Sequence, residues 1–377
     1  MTKIEAKIAS NARKIADTVI GQCNDKGEHE YVLKRWAYVP GMLLMAMMRT
    51  GKWFNEPAYT AFVRGHMDTF IQKDGSIQTY SLEEYNLDQI NQGKNLFWLL
   101  QETGDDRYAE AAHLLAAQLI SQPRTSEGGF WHKKVYPFQM WLDGLYMSSP
   151  FLAEYAKVFA RPELLDEVAH QLLLIERKTR DPRTGLLYHG WDESREQKWA
   201  DSRTGLSSQF WSRAVGWYMM SLVDCLEHFP ITHPKRGTII GIFHRLCLAL
   251  LQVQDKETGL WYQVLDQDGR KGNYIEASGS CMFVYALAKG LERGYLEAGF
   301  ENAMLRGYKG IEEHLTEEDV HGIHLKQICH GAGLSQDRNG SYDYYISEEI
   351  VEDAPMGMAP YLLASLEVER YVNRSKT

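Results

Sequence analysis

The chain has 377 residues, 44% hydrophobic and 24% charged, which is the profile of an ordinary soluble globular protein with material for a large core. Its net charge of −9 comes from interspersed acids and bases and argues against a nucleic acid or an anionic membrane surface as partner. The five cysteines (Cys23, Cys225, Cys247, Cys281, Cys329) are odd in number, widely spaced and without a CxxC pair, so neither a disulfide framework nor a thiolate metal site is expected, and a reducing, cytoplasmic location fits best.

From the N-terminus, MTKIEAKIASNARKIADTVI is amphipathic and has no apolar signal core, and the longest apolar run, MLLMAMM at 42–48, is too short to span a bilayer. Apolar residues recur at helical spacing over 3–22, 36–50, 55–73, 86–103, 106–121, 142–159, 162–180, 206–228, 234–254, 278–293, 297–316 and 354–372. No stretch sustains the two-residue alternation of a sheet, so the expected class is all-α. Asn55 before Pro57, Gly104 after the fourth helix and Pro162 at the head of the seventh punctuate this series.

The connections repeat. KDGSIQTYSLEEYNLD (73–88), SEGGFWHKKVYPFQMWLD (126–143), DPRTGLLYHGWD (181–192) and DKETGLWYQVLD (255–266) each hold a glycine turn, then an apolar or aromatic pair, then a stretch ending in Asp. VHGIHLKQICHGAG (320–333) is a weaker fifth copy. Such connections fall after every second helix, which suits stacked helical hairpins, and six hairpins can close a ring. The expectation is one domain over 1–377, an (α/α)6 barrel with inner and outer helices alternating and the long aromatic connections gathered at one end.

Residues entering the inner helices would then converge on a central cavity: Trp36, Tyr38, Asp88, His132 through Trp141, Asp143, His189, Trp211, Arg213 and Trp217. Flat aromatic faces beside carboxylates and a guanidinium suit a sugar ring, whereas a phosphate cradle would need a GxGxxG or GxxxxGK loop that is absent. Taken singly, each residue has a plainer role. A helical Trp is more often core, Arg213 alone reads as a surface charge, and Asp88 and Asp143 each fit a helix N-cap. His132 and His189 lack the spacing of a metal pair. Convergence at one end of a ring favours the site.

The stretches TSEGGFWHKKVYPFQMWLDGLYMSSPF, LYHGWDES, FWSRAVGWYMMSL, QDKETGLWYQVLD and EASGSC closely resemble the bacterial unsaturated rhamnogalacturonyl hydrolases, relatives of the unsaturated glucuronyl hydrolases. The similarity runs in the same order along nearly the whole chain and weakens from about 315 to 353. The resemblance implies an (α/α)6 barrel, no metal, no cofactor, and cleavage of small oligosaccharides, namely disaccharides in which a Δ4,5-unsaturated galacturonic acid is joined to rhamnose. By the same resemblance Asp143 is the catalytic acid and base and Asp88 its paired carboxylate. His189 and Arg213 belong to the sugar site, lined by Tyr38, His132, Trp141, Trp211 and Trp217.

One special Asp suffices for such a substrate. A conventional glycosidase needs two carboxylates flanking the scissile bond. A vinyl ether can instead be hydrated: a carboxylic acid protonates C4, and the resulting carboxylate takes a proton from the water that attacks C5. For this Asp143 must start protonated, its pKa raised by the aromatic shell and by a neighbouring carboxylate such as Asp88. Arg213 is the candidate for the uronate carboxylate. Action on glycosaminoglycan fragments and a conventional two-carboxylate glycosidase on the same barrel are the alternatives.

Overall fold

The computed structural model describes residues 3–24 and 34–374. A helix stands at each of the twelve expected places: α1 (Lys3–Asn24), α2 (Tyr38–Phe54), α3 (Pro57–Phe70), α4 (Lys94–Thr103), α5 (Arg107–Ser121), α6 (Leu142–Val158), α7 (Leu164–Thr179), α8 (Ser212–Leu226), α9 (Arg236–Gln252), α10 (Ala277–Glu292), α11 (Glu301–Gly310) and α13 (Pro355–Arg374). A further short helix, α12 (Tyr342–Ser347), lies in the last long connection. Three ends differ from expectation. The fourth helix is preceded by 3-10 turns between Leu82 and Gly93, the eighth starts only at Ser212, and the eleventh closes in a π turn, Ile311–Leu315.

Burial separates two kinds of helix. Every residue of α8, and every residue of α10 except Glu292, is buried, and α6 is nearly as enclosed. A helix apolar all round needs neighbours on every side. By contrast α3 buries only Tyr59, Val63, Met67 and Phe70, a single stripe three or four residues apart, and must lie on the outside. The contacts follow this division. The inner helices α2, α4, α6, α8, α10 and α13 each touch the next, and α13 returns to α2, closing a ring. Around them α3, α5, α7, α9, α11 and α1 pack on the ring, with α5, α11 and α1 each touching two neighbouring inner helices. This is the expected (α/α)6 barrel.

The long connections all lead into inner helices and therefore share one end of the ring. Their repeated sequence is a repeated turn. In DPRTGL and DKETGL the aspartate backbone exchanges bonds across the turn, with Gly185 N–H donating to Asp181 (2.8 Å) and Gly259 N–H to Asp255 (2.9 Å), and both glycines hold positive φ (77° and 76°). DSRTGL at 201–206 forms the same turn, closed by Gly205 on Asp201 at 2.7 Å. The fifth stretch departs from the pattern: it folds as the hairpin β3 (Thr316–Asp319) and β4 (Gly322–Leu325), followed by β5 (Ile328–Cys329) paired with β6 (Ile350–Val351). One more two-stranded ladder, β1 (Gln139–Trp141) with β2 (Gly190–Asp192), lies beside the inner-helix entrances. Among the described residues no helix is long and apolar enough to cross a membrane.

Candidate active site

The β1–β2 ladder explains how two distant stretches meet. Its register pairs Trp141 with Gly190, and the Leu142 N–H donates to the His189 carbonyl (3.0 Å). Asp143 lies two residues past Trp141 and His189 one residue before Gly190, so their side chains converge: His189 Nε2 lies 3.1 Å from Asp143 Oδ2. Gly190 is required at this crossing, because a Cβ there would sit 2.7 Å from Leu334 and 3.1 Å from the Trp141 ring. His189 is fully buried, and its Nδ1 shares a 2.7 Å hydrogen bond with the Tyr345 hydroxyl. Asp143 stands in the first turn of α6.

Asp88 reaches the same place from the 3-10 turns before α4. The connections around residues 82–90 and 130–141 are knitted by Leu87 N–H to His132 O (3.1 Å), His132 N–H to Gln139 O (2.8 Å) and Lys134 N–H to Glu84 O (3.2 Å). These bonds set Lys133 Nζ 2.6 Å from one Asp88 oxygen and His132 Nε2 3.6 Å from the other. Burial alone would raise the Asp88 pKa, but Lys133 and then His132 outweigh it and hold the carboxyl below its ordinary value. Burial pushes His132 down to about 4 despite Asp88, so the ring is neutral near pH 7. Gly144, one residue past Asp143, leaves room for this ring: a Cβ there would lie 3.0 Å from His132 Nδ1.

Rings surround the carboxylates. His132 stacks on Trp141 at 4.5 Å between centroids, Tyr136 covers Trp141 at 4.9 Å, and Trp141 meets His189 edge-on at 5.5 Å. Trp211 lies 4.9 Å from His189, with its Nε1 donating to Gln263 (3.0 Å). Trp217 is almost wholly enclosed in the lumen, stacked on Tyr146 (4.9 Å) with its edge toward Tyr38 (6.1 Å). The Tyr38 hydroxyl is pushed up to about 12 by burial and by Asp88, with Asp143 adding and with Arg213 and Lys133 opposing. That single hydroxyl therefore feels both carboxylates and both cations. Trp36 faces elsewhere, donating to the Gln89 carbonyl (2.6 Å) and packing on Phe70.

The plainer capping role set aside above for the two aspartates is absent, and the expectation for Arg213 needs correction. Neither aspartate is an N-cap: Asn86 caps the 3-10 turn that holds Asp88 by accepting from Asp88 N–H (3.0 Å), and Trp141 precedes α6 without a side-chain cap. Arg213 does not present a free fork. Its Nε donates to Ser278 (2.7 Å), its Nη2 donates to the Cys329 carbonyl, and Glu276 lies 3.6 Å from Nη2. Glu276 is itself buried, capping α10 through Ser278 and Gly279 and accepting from Cys329 N–H (3.0 Å). The bidentate clamp expected of Arg213 is thus largely committed inside the protein, and its charge is offset by Glu276.

Lys133 was included only as part of the stretch His132 through Trp141, with no role of its own. Several site residues were not singled out from sequence: Glu276, Cys329, Leu334 and Tyr345. The last three come from the 315–353 stretch, whose Leu334 packs with Trp141 and Trp199 over the site. Among the described residues, Asp143 Oδ2, His189 Nε2 and His132 Nδ1 are buried without a hydrogen-bond partner, because the 3.1 Å approach of the first two lacks bonding alignment. Clustered unsatisfied polar atoms of this kind mark a place built for something else to bind.

The family model described as Glycosyl Hydrolase Family 88 matches residues 11–372. The solved structure of a glycoside hydrolase from family 105 of C. acetobutylicum is 44% identical, with a TM-score of 0.91 over 95% of this chain and 99% of that one. Protein Atu3128 of Agrobacterium fabrum is 37% identical over 230 residues, covering 59% of this chain and 97% of that protein. The unsaturated rhamnogalacturonyl hydrolase YesR of Bacillus subtilis is 31% identical over 212 residues, 55% of this chain and 58% of that one. With a closed helical ring, a carboxylate site at its mouth and a family match along almost its full length, the protein belongs to the Glycosyl Hydrolase Family 88 sequence family and to glycoside hydrolase family 105.

Proposed function

We propose that the enzyme releases a Δ4,5-unsaturated galacturonic acid from rhamnose in small oligosaccharides by hydrating the C4=C5 vinyl ether, with Asp143 as acid and base. The observation that carries this reading is the unequal state of the two carboxylates. Asp88 is paired with Lys133 at 2.6 Å, whereas Asp143 keeps an unsatisfied oxygen beside His189. One carboxyl is fixed as a charge by its lysine, and the other has an oxygen left without a partner.

In the first step Asp143 gives its proton to C4, and the positive charge at C5 is shared with the ring oxygen. Water then adds to C5 and passes a proton to the Asp143 carboxylate, restoring the acid. The C5 hemiketal opens by breaking its bond to the ring oxygen. C1 is left as a hemiacetal, which collapses to release the second sugar. The bond from C1 to the leaving oxygen is never attacked directly. His189, held through Nδ1 by Tyr345, stands 3.1 Å from Asp143. Lys133 and the remaining Nη1 of Arg213 are the cations at hand for the uronate carboxylate, and Trp141 supplies a face for the ring. The galacturonyl–rhamnose preference is supported by the likeness to YesR.

The test is the loss of ultraviolet absorbance of the unsaturated uronate on incubation with lyase-digested rhamnogalacturonan, run beside unsaturated glycosaminoglycan disaccharides, and the release of free rhamnose from a saturated galacturonyl-rhamnose. The first substrate should turn over fastest, and the saturated sugar should be inert. Comparable turnover of the saturated sugar would remove the hydration mechanism. Faster turnover of the glycosaminoglycan disaccharides would reassign the substrate.

A further inference from the structure

The end of the barrel away from Asp143 holds a cavity of about 500 Å³ that the hydrolytic reaction does not use. It is lined by the later turns of α2, α6 and α8 together with α4. Along α6 the separation from Asp143 to the lining residue Glu154 is eleven residues, about 16 Å at 1.5 Å per residue. Lys94 is at its inner wall. This side chain is 5% exposed, and among the described residues its ammonium nitrogen has no hydrogen-bond partner. Its nearest described support is the face of Tyr146, 3.7 Å below. A buried, unpartnered lysine is costly unless something completes its bonding.

The other charges lining the cavity do not do so. Asp224 is already held by Lys289 Nζ (2.6 Å), the Tyr285 hydroxyl (2.5 Å) and Arg49 Nη2 (3.5 Å). Glu227 is held by Lys289 (2.6 Å) and Arg293 (2.9 Å). At the mouth stand Lys52 and Lys157, both exposed. Arg49, Lys52, Lys94 and Lys157 outnumber the lining acids Asp224, Glu227 and Glu154, and Lys289 from outside the lining engages two of those acids, so the local balance is positive in a chain whose net charge is −9. We propose that this cavity is a second binding site, for a small organic anion whose carboxylate or phosphate is received by Lys94 and screened at the entrance by Lys52 and Lys157. A cation would face three lysines. A neutral sugar would leave the Lys94 charge unanswered. The volume falls within the range of small-ligand pockets.

Protonation supports the geometry. Burial brings Lys94 down to about 7, with Arg49 adding to the fall and with Asp224, Glu154 and Cys225 opposing it. Glu154, also on the lining, is pushed up to about 7 by burial. His228, from the end of α8, is pushed down to about 4 by burial and stays neutral. An arriving anion would favour the charged form of Lys94, so binding should take up a proton above neutral pH and weaken as pH rises.

The site is tested by calorimetric titration of the whole chain with inorganic phosphate and, separately, with D-galacturonate. Saturable one-to-one binding is expected for at least one of them, weaker by about tenfold or more in Lys94→Met, as losing a charged hydrogen bond implies. It should be tighter at about pH 6 than at about pH 8.5, and turnover of the unsaturated substrate should be unchanged in Lys94→Met. Should Lys94→Met fail to fold, Lys52→Gln combined with Lys157→Gln, both on the surface, should weaken the same binding several-fold. Absence of saturable binding for both probes overturns the proposal, as does an affinity indifferent to these substitutions. Galacturonate binding kept in Lys94→Met but blocked by excess unsaturated disaccharide in an Asp143→Asn background would place the ligand at the catalytic end and likewise overturn it. None of these readouts depends on which oligosaccharide the enzyme cleaves.

Discussion

Lys133→Met removes the cation that keeps Asp88 charged while leaving the side chain's length and apolar stem. The pair is mostly sheltered, with side-chain exposures of 21% and 15% for lysine and aspartate, so the loss is not that of a surface salt bridge. The stranded carboxylate can take up a proton, and this sets a ceiling. From an ordinary Asp value of about 3.9, holding the group neutral at pH 7 costs about 4 kcal/mol, and at pH 5 about 1.5 kcal/mol. Residual exposure and the nearby His132 reduce this, so about 2 kcal/mol is expected at neutral pH. At roughly 2.1 cal/mol/K per residue the chain unfolds with about 0.8 kcal/mol/K of entropy, so Tm should fall by about 2–3 °C. The sign with pH follows from linkage. In the parent the depressed Asp88 contributes stability above its unfolded pKa, and that contribution is lost as pH falls through the folded value. In Lys133→Met the folded Asp88 binds its proton more tightly than the unfolded chain does, so stability is lost as pH rises. Scanning calorimetry of both proteins at about pH 5 and about pH 8 should therefore show a gap that widens with pH. A gap of the same size at both values would mean that Lys133 acts by packing and that the Asp88 charge is not under its control.

Asp143→Asn keeps the shape of the side chain and should retain substrate binding and fold while turnover falls by roughly 10²–10⁴-fold; retention of more than a tenth of the activity would exclude Asp143 as the acid. Tyr345→Phe removes the 2.7 Å partner of His189 Nδ1, and about a 3–10-fold loss in kcat with KM nearly constant is expected from one hydrogen bond. A changed KM with normal kcat would place Tyr345 against the sugar instead. Arg213→Lys cannot serve Ser278, Cys329 and Glu276 with one nitrogen, so its main effect should be a stability loss of about 2–4 kcal/mol, read by denaturant unfolding. A KM raised by more than about tenfold at unchanged stability would assign the guanidinium to the uronate carboxylate.

Much of the ring was legible because its two signals are local. An outer helix such as α3 shows one apolar stripe, and the long connections fall before every second helix, so the alternation of inner and outer can be read along the chain. The DxxTG turns are equally local, since one aspartate and one positive-φ glycine close them regardless of what packs nearby. Where helix ends were misplaced, as before Lys94 and Ser212, the backbone is held by partners far away in sequence. Ser212 N–H, for instance, donates to Gln263 O (3.0 Å), and nothing in residues 206–211 announces that bond.

The site divides along the same line. Asp143 and His189 could be suspected because each follows a repeated turn and enters an inner helix or ladder, and the ladder register then brings them within 3.1 Å. The partner of each charge was not legible. Lys133 and Lys134 are adjacent and chemically identical, yet one is half-buried on Asp88 and the other exposed, a choice made by the His132–Gln139 backbone bond that turns this strand. Arg213 read as a substrate clamp because its counter-charge, Glu276, lies sixty-three residues on, at the cap of the next inner helix. Tyr345 and Cys329 come from a stretch without helical periodicity, so only the folded path of 315–353 carries them to His189 and Arg213. Residue chemistry pointed to a sugar site with one special carboxylate. Which carboxylate carries a lysine partner is a property of register, and the proposed hydration by Asp143 rests on that property.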